Sequence, residues 1–333
     1  MKIDTVTNSN QSSHNTLFPK ISYIVILIIL IVLPLVAPQY FRSVLSKIYI
    51  FAIFAMSINL IMGYTGLVSL GHAVYLGVGG YTLGILMVHL GVHSLWVLFP
   101  AALIAAAIAA SLIGLVALRV SGMHFIIITI AFGQLFFAVA VKWRAITGST
   151  DGLIGITYPA IGLFPFQWTS FSFHYFILII FVLCYLAMYI ITHSPFGYAL
   201  VGIRENEQRM QGLGYNTWLY KYLAFIVGGV FAGLAGALFA PFYQIMVPSH
   251  FALLTSATAV LMMTLGSPGT LYGPVIGAVL IVLIEFFAST YMPERWPLIL
   301  GGIFVLCISL FPGGVGIYLA RVLGKIRHKL WKY

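Results

Sequence analysis

Polarity along the chain is organised in long apolar stretches separated by short polar breaks. Runs with little or no charge fall at about 21–38, 44–62, 66–90, 94–118, 122–141, 173–191, 220–242, 251–265, 275–291 and 297–312. A helix needs about 20 apolar residues to cross a hydrocarbon core of ~30 Å. The pattern therefore predicts an all-α polytopic membrane protein with ten transmembrane helices. A closed β-barrel, the other structure that satisfies its own backbone in lipid, would show short alternating segments instead. Two regions depart from regular helical patterning. Residues 66–90 are rich in glycine, and 251–291 is interrupted around Gly266–Pro274, so both are expected to be broken segments. Five plus five spans would permit an inverted repeat, but the two halves show no convincing sequence match.

The ends read differently from the middle. Residues 1–20 are rich in Ser and Asn and are expected to form a disordered tail. The apolar run after it is long for a signal peptide and ends at Pro38, not at a small-residue cleavage site, so it reads as a retained first helix. The organisation is then a tail over 1–20, a transmembrane region over 21–318 and a basic tail over 319–333.

Composition agrees with this assignment. Hydrophobic residues make up 62% of the chain and charged ones 7%, yet the net charge is +10. At this hydrophobicity the excess of Lys and Arg reflects the cytoplasmic bias of membrane loops, not nucleic-acid binding. With a cytoplasmic N-terminus, eleven Lys and Arg residues fall on the inner side. Five (Arg42, Lys47, Lys142, Arg144 and Arg295) fall on the outer side. Both termini are thus expected in the cytoplasm, with 192–219 inside and 142–172, which carries Asp151, outside. Cys184 and Cys307 sit in apolar runs and form neither a disulfide framework nor a metal motif. No GxxxxGK[ST] stretch exists, so any nucleotide that powers the protein binds another subunit. No cofactor is implied, and the acidic residues Asp4, Asp151, Glu285 and Glu294 do not cluster in the sequence as a catalytic site would require.

Against this background the segment 192–219 stands out. It gathers Arg204, Glu205, Glu207 and Arg209 into six positions between two apolar spans. A turn at Ser194–Gly197 and a short helix from about Leu200 to Gln211 are expected, ended by Gly212 and Gly214. Ion pairs one turn apart, Glu205 with Arg209 or Arg204 with Glu207, would support that helix. Such an element suits docking to a soluble partner, as well as a merely solvated loop. The glycines of 63–91 and 266–277 allow close helix approach or a break within the membrane. Gly71, His72, Gly77, Tyr81, Gly266, Ser267 and Gly269 are the candidates for a translocation path, with tight helix packing or a satisfied core histidine as the alternative. Glu285 is an intramembrane carboxylate, which points to a cavity or a partner, with snorkelling to the outer surface about two turns away as the alternative. Asn59 reads as an interhelical hydrogen-bonding residue, and Arg119 and His124 as interfacial.

Five runs together resemble one known family. They are GYTGLVSLGHAVYLGVGGY (63–81), TGSTDGL (147–153), SPFGYALVGIRENEQRMQGLGYN (194–216), AFIVGGVFAGLAGALFA (224–240) and LGSPGTLYGPVIGAVL (265–280). In this order they resemble the permeases of branched-chain amino-acid ATP-binding-cassette importers, specifically the M-type subunit. The resemblance implies that 192–219 is a coupling element seated on an ATP-binding subunit, with Arg204, Glu205, Glu207 and Gly212 at its core, and Arg209 is a further coupling candidate in the same charged cluster. It also implies a heterodimer with a homologous second permease, two ATP-binding subunits, an extracytoplasmic solute-binding protein and the inner membrane as location. The chain departs from the family pattern at Gln208, Arg209 and Met210, where small residues are usual, and at Ser267, where glycine is usual. The same pattern is shared by urea and short-chain amide importers. An ion-coupled secondary carrier would instead need several intramembrane charges. A membrane enzyme would need a polar catalytic cluster.

Overall fold

The computed structural model describes residues 32–35, 38–162, 168–291, 301–302, 305 and 314–316. Contacts divide the chain into a leading unit, residues 1–42, and the body, residues 43–333. In the leading unit the described residues are helical at 32–35 and again from Gln39. All that follows concerns the body.

The helices in chain order are α1 (Gln39–Asn59), α2 (Ala73–Val88), α3 (Leu95–Ala117), α4 (Met123–Lys142), α5 (Arg144–Thr147), α6 (Ser170–Thr192), α7 (Pro195–Glu205), α8 (Glu207–Gly212), α9 (Thr217–Tyr243), α10 (Leu253–Gly266) and α11 (Tyr272–Tyr291). Two-residue strands β1 (Leu153–Ile154) and β2 (Ile245–Met246) pair antiparallel, with Leu153 opposite Met246. Among the described residues six helices are long and apolar enough to span a membrane: Gln39–Tyr64, α3, α4, α6, α9 and Tyr272–Thr290. The runs at 21–38 and 297–312 lie largely outside the described residues.

Two predicted spans are short helices: α2 is well inside its run of 66–90, and α10 matches its run of 251–265 to within two residues. At 1.5 Å per residue α2 and α10 extend only about 24 and about 21 Å. Irregular backbone precedes each of them. Gly66, with φ 76°, turns the chain after α1, and residues 65–72 carry it to α2 without a regular helix. After α9, Gln244 (φ 58°), β2 and a 3-10 turn at Pro248–Phe251 lead into α10. Apolar composition continues through the strip at 66–72, which is why it reads as part of a span, whereas the strip after α9 falls between the runs at 220–242 and 251–265. Non-helical backbone at membrane depth is tolerated where protein covers it. Here His72, Met246, Pro248 and Phe251 are all buried. A long helix, an irregular strip ending near a histidine (His72, His250) and a short helix thus occur twice, although the sequence halves do not match.

Around α9 the packing follows from side-chain size. Gly229, Gly233 and Gly236 lie on one face of α9, at spacings of four and three. A Cβ on Gly229 or Gly233 would strike the methyls of Ala110 or Ala106 on α3. One on Gly236 would strike the carbonyl of Leu76 on α2, and one on Gly79 the carbonyl of Gly233. Lipid provides no hydrophobic drive between helices, so close backbone approach through small residues supplies the contact. Tyr75 and Phe225 fill the adjoining space edge to face, 5.7 Å between centroids, and both are fully buried.

A second hairpin, α10–α11, is equally tight. Gly277 faces the carbonyl of Met262, and Gly266 that of Gly273. The predicted break near 266–277 is thus the turn between two helices, with Pro274 in the first turn of α11, where a proline is tolerated. Ser267 adopts φ 113° and is fully buried, a conformation that favours glycine and is strained for serine. Gly314 and Gly316 pack directly onto it. Alanine at this position keeps the strain and loses the hydroxyl, whereas glycine removes the strain. Thermal unfolding in detergent should therefore rank Ser267→Gly above Ser267→Ala by roughly 1–3 kcal/mol.

Candidate functional site

The polar segment forms two helices, not the single one expected over Leu200–Gln211. The Ser194 hydroxyl accepts from the Gly197 amide at 3.4 Å to start α7, with Pro195 in its first turn. Asn206 (φ −158°, ψ 97°) ends α7 and caps α8, its Oδ1 accepting from the Arg209 amide at 2.9 Å. An asparagine that caps one helix must leave helical geometry itself, which breaks the run. Met210 then lies against Gly202, where a Cβ would be 2.8 Å from its sulfur. Met210 thus packs one short helix against the other at Gly202.

The charges are partitioned. Glu207 pairs with Lys221 at the start of α9, 2.5 Å apart, instead of with an arginine one turn away. Glu205 and Arg209 are exposed and, among the described residues, belong to no ion pair. A Cβ on Gly212 would meet open space. Leu213 and Tyr198 are 67% and 66% exposed, so the segment presents a mixed apolar and charged face.

Arg204 reaches back into the bundle. α1 ends in a π-helical turn, Leu60–Tyr64, whose altered register frees carbonyls from the α-helical ladder. The Arg204 guanidinium donates to one of them, on Gly63. Its stem passes Gly66, where a Cβ would come within 3.0 Å, and its tip lies beside Gly269, where a Cβ would be 2.7 Å away. Asn59 secures the same junction. Its Nδ2 donates to the Thr270 carbonyl and its Oδ1 accepts from the Gly269 amide, both at 2.9 Å. Arg204 therefore contacts the end of α1 and the turn between α10 and α11 together. Asn59→Ala strips both hydrogen bonds from that turn, and its amide and carbonyl lose their partners. A loss of about 2 kcal/mol of stability is expected, measurable as a lowered unfolding temperature in detergent.

At the opposite ends of these helices lies a cavity of about 420 Å³. Lys47 and Phe51 of α1, Thr255 and Thr258 of α10 and Glu285 of α11 contribute to its wall, with Tyr243 of α9 and His250 beside them. Lys47 Nζ and Glu285 Oε1 are 2.7 Å apart, each side chain about a quarter exposed. Glu285 thus has both the partner and the cavity that its position implied. Lys47 was legible only as a loop charge. A single lysine in one apolar run and a single glutamate in another were the signal for their pairing.

The candidate path residues are distributed between packing positions. Gly71 lies against the Thr129 carbonyl of α4. His72 is fully buried, stacked on Phe54 and edge-on to Tyr75. Ser57 donates to the Phe54 carbonyl, so it accepts from His72 Nε2–H at 2.8 Å, which fixes the tautomer. Gly77 and Tyr81 seat the ring of Phe251, which stacks on Tyr81 at 5.4 Å. Gly266 and Ser267 form the end of α10, and Gly269 lies at Arg204.

A bundle of long apolar helices interrupted by irregular strips, with a polar element at one end and a cavity holding an ion pair at the other, is that of a multi-pass membrane protein. The chain belongs to the family of permease components of branched-chain amino acid transport systems, whose sequence profile matches residues 40–309. The high-affinity branched-chain amino acid transport system permease protein LivM of Salmonella typhimurium is 26% identical over 323 residues, covering 90% of this chain and 76% of that protein. LivH of the same organism, also a permease protein of a high-affinity branched-chain amino acid transport system, is 24% identical over 286 residues, 80% of this chain and 90% of that protein. The autoinducer 2 import system permease protein LsrC of Photorhabdus laumondii is 27% identical over 188 residues, 54% of this chain and 53% of that protein. No solved structure matches the chain.

Proposed function

We propose that this chain lines half of the translocation path of an ATP-driven importer for branched-chain amino acids, with residues 192–219 as its coupling element. One observation carries the reading. The segment that presents an exposed face is hydrogen-bonded through Arg204 to α1 and adjoins the α10–α11 turn. Those same three helices form much of the cavity wall at the other end. Docking of Glu205, Arg209, Gly212 and Leu213 on an ATP-binding subunit would let closure of that subunit push on α7 and α8. Arg204 would pass the displacement to the ends of α1, α10 and α11, and their rigid-body tilt would open or close the cavity. Glu207 has a different task in this scheme, tying α8 to α9 through Lys221.

The complex would hold a homologous second permease as a heterodimer, two ATP-binding subunits and an extracytoplasmic solute-binding protein. Similarity to both LivM and LivH supports a pairing of related permeases. The tail over 1–20, the coupling element and the basic tail over 319–333 would face the cytoplasm of the inner membrane, and the cavity the outside. Purification from native membranes under mild detergent, followed by mass spectrometry, tests the assembly. Recovery of two ATP-binding subunits and a second permease is expected. Recovery of this chain alone, active in liposomes without ATP, would replace the importer with an ion-coupled carrier.

A further inference from the structure

We propose that the Lys47–Glu285 pair is the recognition site for the two charged ends of a zwitterionic amino acid, an inference that rests on the importer reading. Both residues lie inside apolar helices, where an ionised side chain is expensive unless paired or facing water. Here they are paired at 2.7 Å, and both border the cavity. A closed pair buried on all sides would be a brace. This one is open to the cavity on one side, so its charges remain accessible to a solute.

The chemistry of the wall selects the ligand. The pair has no net charge, so a neutral molecule can bind without leaving an unbalanced charge in a low-dielectric site. A lone anion or cation cannot do so. A zwitterion is neutral overall yet brings a carboxylate for Lys47 and an ammonium for Glu285, replacing one ion pair with two. Lys47 is already steadied by the ring of Phe51, 5.7 Å below its nitrogen. Beside Tyr243 and His250, the rest of the wall brings Leu76, Phe239, Val247 and Leu254, suited to a branched aliphatic chain. The hydroxyls of Thr255 and Thr258 donate to the backbone carbonyls of Ser249 and Leu254, at 3.1 and 2.9 Å. Urea or a short amide could hydrogen-bond to the pair but would leave the apolar wall unfilled.

The test uses the complex purified from native membranes into liposomes, supplied with ATP and its solute-binding protein, and reads leucine uptake. Lys47→Met and Glu285→Gln are each expected to lower uptake tenfold or more, with complex recovered in unaltered yield. Uptake within twofold of the unaltered complex in both overturns the proposal. The combined exchange Lys47→Glu with Glu285→Lys keeps the ion pair and reverses its direction. It should assemble yet remain at least tenfold impaired, and full recovery of uptake would show a brace instead of a reader. If the variants fail to assemble, the unaltered complex decides. With the solute-binding protein left out, isocaproate and isoamylamine, each lacking one charge of leucine, should not displace radiolabelled leucine bound to the membrane complex where unlabelled leucine does. Displacement by either as effective as leucine's overturns the proposal. Unaltered liposomes that accumulate urea or acetamide and not leucine would sink the amino-acid reading itself, separately from any effect of the variants.

Discussion

Gly236→Leu is expected to abolish recovery of folded protein from the membrane. A side chain at this position of α9 meets the Leu76 carbonyl and the Gly80 amide of α2, which are backbone atoms and cannot rotate aside. The two helices would have to separate, and Gly229, Gly233 and Gly79 would lose their close contacts in the same movement. Overpacking of this kind costs about 3 kcal/mol or more, and the lost approach adds to it because small-residue contact is what joins helices in lipid. Gly212→Leu supplies the contrast. Its Cβ meets open space, so the chain should fold and insert normally. Membrane expression and size-exclusion profile check both variants.

Arg204→Met should separate ATP hydrolysis from transport. The substitution retains most of the stem that passes Gly66 and removes the guanidinium bonded to the Gly63 carbonyl. A hydrogen bond to a charged group contributes about 1.5–3 kcal/mol. If that energy holds α1 to the coupling segment during the cycle, solute moved per ATP hydrolysed should fall by roughly 10- to 100-fold. Most of the stem that fills the space beside Gly66 is kept, so assembly of the complex is expected to survive. Simultaneous measurement of uptake and phosphate release in liposomes checks the ratio directly.

Much of the helical layout was legible because lipid imposes a simple rule. A span must satisfy its backbone internally and be about 20 apolar residues long. That rule located α3, α4, α6 and α9 closely. It also placed α10 to within two residues, but it misplaced the start of α2, because protein-covered irregular backbone has the same composition as a helix in lipid. Asn206 was invisible as a helix break for a related reason: a polar residue in a polar segment carries no contrast, and its role is set by backbone geometry. Arg204 and Glu207 were singled out by charge, but their partners Gly63 and Lys221 depend on three-dimensional approach. Gly77 and Tyr81 show the limit from the other side. Glycine beside an aromatic announces close approach, and only the fold reveals that the ring received is Phe251.

Site-specific photo-crosslinking from position 213 tests the coupling account most directly. Leu213 is 67% exposed at the end of α8, and Ile154, 65% exposed on β1 at the opposite end of the helices, serves as the control. In native membranes a photoreactive residue at 213 should capture an ATP-binding subunit, with a yield that changes when ATP is bound, while position 154 captures none. Equal capture at both positions, or none from 213 in a complex that transports, would contradict the role assigned to the polar segment.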